Sequence, residues 1–124
     1  MGKKTILIVD DNADTRLVLS ARLRANHYHI VIAADALQAM CVARKEQPDA
    51  ILLDLGLPGG NGMMVLERLK ANTFLSGIPV IIVTADDSLV AEAHAFEAGA
   101  IAFLQKPVDQ DRLMAAVQQA LGTT

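Results

Sequence analysis

Thr5-Ile6-Leu7-Ile8-Val9-Asp10-Asp11 is a short apolar run that ends on two adjacent aspartates. It is too short for a helix and apolar at every position after Thr5. A strand buried on both faces in a parallel sheet reads this way. Four further runs share the character: His29–Ala33, Ala50–Leu53, Val80–Thr84 and residues 101–104. The third ends on Asp54 and the fourth on Thr84, and the fifth leads into Lys106-Pro107.

Helical periodicity fills the intervals. Over residues 13–25, Thr15, Val18, Leu19 and Leu23 share a face, with Arg16, Ser20 and Arg24 elsewhere. Asn26 follows where a left-handed C-cap falls. Ala36, Ala39, Met40 and Ala43 form a narrow inner stripe on a second helix, with Asp35 as its N-cap. Met63, Leu66 and Leu69 mark a third helix. Ala91, Ala95 and Ala98 mark a fourth, closed by Gly99. Leu113, Ala116, Val117 and Ala120 mark a fifth, opened by Asp109. Strand and helix alternate five times, which predicts an α/β fold: an open, doubly wound parallel sheet with right-handed crossovers and helices on both faces. Gly59-Gly60-Asn61-Gly62 reads either as a plain turn or as a mobile loop beside a site.

Composition bounds the function. The 124 residues suit a single domain, 1–124, with no room for a second core. The hydrophobic fraction of 52% is high, but no apolar run approaches the ~20 residues that span a bilayer. The opening Met-Gly-Lys-Lys precedes only a short apolar stretch, unlike a signal peptide. The single Cys41 forms no internal disulfide, which suits a reducing, cytoplasmic location. A net charge of −3, three Phe, one Tyr and no Trp supply neither a basic surface nor a stacking platform for direct nucleic-acid binding. Nothing points to a membrane.

In open parallel sheets, ligands bind at the carboxyl ends of the strands. There the first strand delivers Asp10 and Asp11, the third Asp54, the fourth Thr84, and the fifth leads to Lys106. The second delivers only Ala33 and Ala34, as expected of an edge strand. Three carboxylates at one rim repel unless a cation sits among them. Mg²⁺ accepts such oxygen ligands while keeping several waters. Lys106 adds a fixed positive charge, and Thr84 a hydroxyl. A nucleophilic carboxylate, a metal and a lysine are what phosphoryl transfer to Asp54 requires. Each residue also has a plain structural reading. Asp10-Asp11 is a possible helix cap, Asp54 a turn residue, Thr84 a packing β residue and Lys106 a solvated lysine. Their convergence on one edge favours the chemical reading.

The pieces Ile-Leu-Ile-Val-Asp10-Asp11, Asp54-Leu-Gly-Leu-Pro58 with Gly62, Val-Ile-Ile-Val-Thr84-Ala85, Gly99-Ala100 and Phe103-Leu-Gln-Lys106-Pro107 together resemble the receiver domain of two-component response regulators, of the chemotaxis-regulator type. The resemblance covers essentially the whole chain. It implies a flavodoxin-like sheet of strand order 2-1-3-4-5 with five helices. It implies that Asp54 is the phosphoacceptor, taking its phosphoryl group from a histidine kinase or a histidine phosphotransfer protein. Asp11, Asp54 and the backbone carbonyl of Gly56 would bind Mg²⁺ directly, with Asp10 in the outer shell through water. Lys106 would pair with the phosphoryl group, and its bond to Pro107 would be cis. Thr84 and Phe103 would be the switch residues. The altered surface would lie on the fourth helix, fifth strand and fifth helix, with Val90 and His94 outward. It would control a downstream effector or a fused output domain, from a monomer or a phosphorylation-dependent dimer. Self-phosphorylation from a phosphodonor and autodephosphorylation would be its only reactions.

The departures are informative. Phe103 has no hydroxyl to satisfy when turned inward. Gly56 has no side chain where the family usually carries one, which predicts an unusually open site and an altered phosphoryl lifetime. Ala85 also leaves the approach clear. The chain runs out at Gly122-Thr123-Thr124, so no output domain is expected within it.

Other residues carry less. His27, His29 and His94 do not form a metal set, and the five Met read as core filler. Leu37 and Cys41 lie off the inner stripe of the second helix, where scattered apolar residues are ordinary. A Mg²⁺-dependent phosphohydrolase working through an aspartyl phosphate is a competing class. Haloacid-dehalogenase-type enzymes, however, carry Asp-x-Asp where this chain has adjacent aspartates. A non-phosphorylated interaction module is a third, opposed by the intact acid set. A nucleotide-binding domain lacks its Gly-rich loop after the first strand.

Overall fold

The computed structural model describes residues 2–122; Met1, Thr123 and Thr124 lie outside them. The elements run β1 (Thr5–Val9), α1 (Ala13–Arg24), β2 (His29–Ala33), α2 (Ala36–Glu46), β3 (Ala50–Leu53), a 3₁₀ turn (Pro58–Gly60), α3 (Gly62–Ala71), β4 (Val80–Thr84), α4 (Leu89–Glu97), β5 (Ala102–Gln105) and α5 (Gln110–Ala120). The five strands form one parallel sheet of order β2-β1-β3-β4-β5. This is the fold expected from the alternation and the resemblance.

Successive strand residues face opposite ways, and two cores result. Leu7, Val9, Ile51, Leu53, Val80 and Ile82 pack under α2, α3 and α4. Ile6, Ile8, Ala50, Leu52, Ile81 and Val83 pack under α1 and α5. Each fully buried Leu, Ile or Val contributes about 1.5–3 kcal/mol. Burial on both faces therefore outweighs the local preferences of the short, weakly amphipathic helices. The N-caps form as expected: Asp35 accepts from the Gln38 N–H and Asp109 from the Arg112 N–H.

Several expectations shift. β5 spans Ala102–Gln105 rather than 101–104. Gly99, at φ +111°, turns the chain, and the Ile101 N–H is used on the Val80 carbonyl, so paired residues begin with Ala102 opposite Ile81. The first helix ends on Arg24, with Ala25 as its right-handed C-cap, and the left-handed residue is His27 rather than Asn26. Asn26 stays with the helix because its N–H donates to Leu23 O and its side-chain amide to Arg22 O. On α1, Ser20 is buried and Val18 is 47% exposed, reversing their predicted places. The helix presents Leu19, Ser20 and Leu23 to the sheet, and Val18 faces a groove beside Pro107 and Val108. On α3, Val65 joins Leu66 and Leu69 in the core, and Met63 is half-buried.

The glycine-rich stretch is a tight turn. Gly59 has φ +75°. Gly62 opens α3 where it crosses the end of β3: a Cβ there would stand 2.3 Å from Asp54 O and 2.4 Å from Leu55 Cα. No methyl group fits against backbone at that range, so Gly62 sets how closely α3 approaches the strand that carries Asp54. Gly62→Ala is expected to lose about 1–3 kcal/mol in urea unfolding. Gly77→Ala, where a Cβ meets nothing within 4 Å, is expected to be neutral or slightly stabilising.

Candidate functional site at the carboxyl edge of the sheet

The first residue beyond β1 is Asp10, and the first beyond β3 is Asp54. Both remain in register with the sheet. The Asp10 N–H donates to Ala33 O at 3.1 Å and the Asp54 N–H to Val9 O at 3.0 Å. These bonds fix two carboxylates side by side at 2% and 6% exposure. Asp11 adds an exposed carboxylate, and oxygen atoms of Asp10, Asp11 and Asp54 all lie within 4.8 Å of one another. This is the only potential metal-holding cluster among the described residues. His94 instead lies 3.7 Å from Glu67, on neighbouring α3.

The buried charge has a local answer. Lys106 Nζ lies 2.8 Å from Asp10 Oδ2 and 2.9 Å from Asp54 Oδ2. The main chain holds it there: the Lys106 N–H donates to Thr84 O at 2.8 Å, and the Lys106–Pro107 peptide is cis. The second oxygen of each aspartate is bound locally. Asp54 Oδ1 accepts from the Gly56 N–H at 2.9 Å, and Asp10 Oδ1 accepts from the Asn12 N–H at 2.9 Å. Thr84 is buried, and its Oγ1 accepts a long bond from the Asp86 N–H at 3.3 Å. Phe103 is half-buried against the core beneath α2–α4. Its strand partner is Ile82, two residues before Thr84, so Phe103 and Thr84 share a sheet face.

The donor set fits a small hard cation. It offers only oxygens, from carboxylates whose mutual repulsion a divalent ion relieves. Gly56 puts no side chain beside Asp54: a Cβ there would lie 3.4 Å from Asp54 Oδ1. Among the described residues, no helix is long and apolar enough to cross a membrane.

Three contributors escaped the sequence reading. Asn12, not Asp10 or Asp11, is the N-cap of α1, its side chain accepting from the Thr15 N–H at 3.0 Å. An Asn immediately before a helical period is a recognised signal for this. Arg16 reaches back from α1 to donate to Asp10 O at 2.7 Å. Asp86 supplies the N–H bonded to Thr84. No sequence pattern announces either of the last two.

Burial alone would lower the Lys106 pKa. The hydrogen bonds and charges of Asp10 and Asp54 outweigh it and hold the ammonium above its ordinary value of 10.5. A lysine raised on folding contributes its full stabilisation below the unfolded value and loses it as pH climbs through the folded value. The stability difference between the native chain and Lys106→Met, in metal-free buffer, is therefore expected to be constant at neutral pH. It should shrink between about pH 10 and 12. Chemical denaturation across that window measures it.

Comparison with known proteins agrees with this geometry. The sequence profile described as "Response regulator receiver domain" matches residues 6–118. The chain is 40% identical over 114 residues to the response regulator PleD of Caulobacter vibrioides, covering 91% of this chain and 25% of that protein. It is 34% identical over 116 residues to protein PilH of Pseudomonas aeruginosa, covering 94% and 96% of the two chains. It thus spans about a quarter of the length of PleD and nearly all of PilH. Among solved structures, the receiver domain of the sensor histidine kinase PA1611 of Pseudomonas aeruginosa superposes with a TM-score of 0.88 at 30% identity. The match covers 98% of this chain and 100% of that one, and that structure has a magnesium ion coordinated in its active-site cleft. With the profile match running nearly from end to end and the strand order and acid cluster agreeing, the chain belongs to the response regulator receiver domain family of two-component systems.

Proposed function

We propose that this domain is a phosphorylation-dependent switch in which Asp54 accepts a phosphoryl group and Lys106 and Thr84 read it. One observation carries the reading: Lys106 Nζ lies 2.9 Å from Asp54 Oδ2, within reach of a phosphoryl group placed on that carboxylate. Asp11, Asp54 and the Gly56 carbonyl would hold Mg²⁺ directly and Asp10 through water. The donor set and the ion in the PA1611 receiver domain support that assignment. When bound, the ion neutralises charge on the phosphoryl oxygens.

The chain's own groups do the rest. An Asp54 carboxylate oxygen attacks phosphorus and the donor's leaving group departs, forming an acyl phosphate. The Asp54 Oδ1 bond to the Gly56 N–H orients the carboxylate. Lys106 moves its hydrogen bonds from the aspartates to a phosphoryl oxygen. Thr84 exchanges the weak Asp86 contact for donation to another. The added charge, about −1.5 to −2 with strong acceptor oxygens, gives both residues a partner in one state that they lack in the other. That differential contact is what biases a two-state domain. Phe103, on the Thr84 face, would follow the threonine inward and alter the α4–β5–α5 surface. Val90, 79% exposed, and the half-exposed His94 stand on that surface.

The donor would be a histidine kinase or a histidine phosphotransfer protein. The output would be a downstream effector or a fused domain, read from a monomer or a phosphorylation-dependent dimer. Residues 1–124 act as a single receiver unit, in the cytoplasm, without direct nucleic-acid contact. Receiver domains are switch domains rather than enzymes in the usual sense. Self-phosphorylation and autodephosphorylation would be the only reactions.

Incubation with acetyl phosphate and Mg²⁺, read by intact mass, should add one phosphoryl group to the native chain and none to Asp54→Asn. Absence of uptake by the native chain refutes the mechanism, and equal uptake by Asp54→Asn moves the site elsewhere. In the phosphorylated chain, Gly56→Leu is expected to slow hydrolysis severalfold by covering the water's approach. An unchanged decay rate would reject the open-site reading of Gly56.

A further inference from the structure

We propose that Arg16 is a positioning residue for the divalent-cation site, acting through the main chain of Asp10. This inference rests on the reading above that Asp10, Asp11 and Asp54 hold Mg²⁺. Arg16 lies in the first turn of α1, and its Nη1 donates to Asp10 O at 2.7 Å, the shortest of the hydrogen bonds in this loop. Asp10 stands one residue past the last strand pair, Val9 with Ala33 and Leu53. No backbone N–H of a described residue donates to its carbonyl. The guanidinium therefore satisfies an acceptor that the sheet has left behind.

The consequence falls on Asp11. Asp10 is pinned four ways, through its N–H on Ala33 O, its Oδ1 on the Asn12 N–H, its Oδ2 on Lys106 Nζ and its carbonyl on Arg16. The Asp11 carboxylate makes no hydrogen bond with a described residue, and Asp11 is exposed. Its direction depends on the peptide that joins it to Asp10, and Arg16 holds that peptide by its oxygen. With the bond removed, the 10–11 peptide loses the restraint on its oxygen, and the Asp11–Asp54 separation is set less tightly.

A purely electrostatic role for Arg16 predicts the opposite outcome. A cation beside three carboxylates repels Mg²⁺, so removing its charge alone would tighten binding. Removing a positioning bond weakens it, and partners behind the ligands of metal sites are typically worth tenfold or more in affinity. The sign of the change separates the two roles.

The experiment is a Mg²⁺ titration of the full chain without phosphodonor, followed by the backbone amide resonances of Asp11, Asp54 and Gly56. Arg16→Met is expected to bind Mg²⁺ about tenfold more weakly. Its Asp11 amide should also shift before any metal is added. Arg16→Lys, which keeps the charge and one donor, is expected to recover part of the affinity. Arg24→Met, on the same helix without a bond to Asp10, should bind as the native chain does or slightly tighter. Native affinity or tighter binding in folded Arg16→Met overturns the proposal. Should that variant not fold, Arg16→Gln is judged by the same criterion. A native chain that binds no Mg²⁺ overturns this inference and the metal-dependent switch together, whereas native binding with an indifferent Arg16 overturns only the former.

Discussion

Two buried carboxylates at hydrogen-bonding range of one lysine are the constraint around which this domain is arranged. Asp10 and Asp54 are almost inaccessible to water and lie at the ends of adjacent strands. Buried anions without compensation are strongly destabilising. Lys106 compensates for both, and each second oxygen accepts from a backbone N–H. The result is a fully partnered cluster; no buried side-chain oxygen or nitrogen among the described residues is left without a partner.

The same arrangement would make the cluster switchable under the proposed mechanism. The Lys106 ammonium is held by the two aspartates, so a phosphoryl group or a divalent ion would compete for the contacts it now makes. Thr84 holds only a long bond to the Asp86 N–H and has a stronger acceptor to gain. A site that is satisfied in one state and better satisfied in another needs no large rearrangement to transmit a change. It would need side chains that move together, and Thr84 and Phe103 share a face of the sheet.

Much of this was legible beforehand because buried parallel strands leave a strong local record. Five short apolar runs marked five strands, and four boundaries came out unchanged: Thr5–Val9, His29–Ala33, Ala50–Leu53 and Val80–Thr84. The convergence of the candidate site residues was legible for the same reason, since polar residues at strand ends interrupt apolar runs visibly. The misses have local causes too. Ile101 is apolar and belongs to the same run, yet regular pairing begins only at Ala102, opposite Ile81, after the turn at Gly99. Ser20 and Val18 exchanged places because periodicity gives the spacing of an inner face but not the angle at which the helix sits on the sheet.

By itself, then, the sequence determined the order of elements, the class of sheet and the acid, hydroxyl and amine groups gathered at its carboxyl edge. Those follow from hydrophobic pattern and chain order, which are local properties. Only the tertiary structure decided that Lys106 bridges Asp10 and Asp54, that Arg16 secures the Asp10 carbonyl, and that Gly62 must be bare because Asp54 O and Leu55 Cα stand against it. Each depends on how two segments approach in space to within a few tenths of an ångström. Close packing sets that distance, and no periodicity in a single chain encodes it.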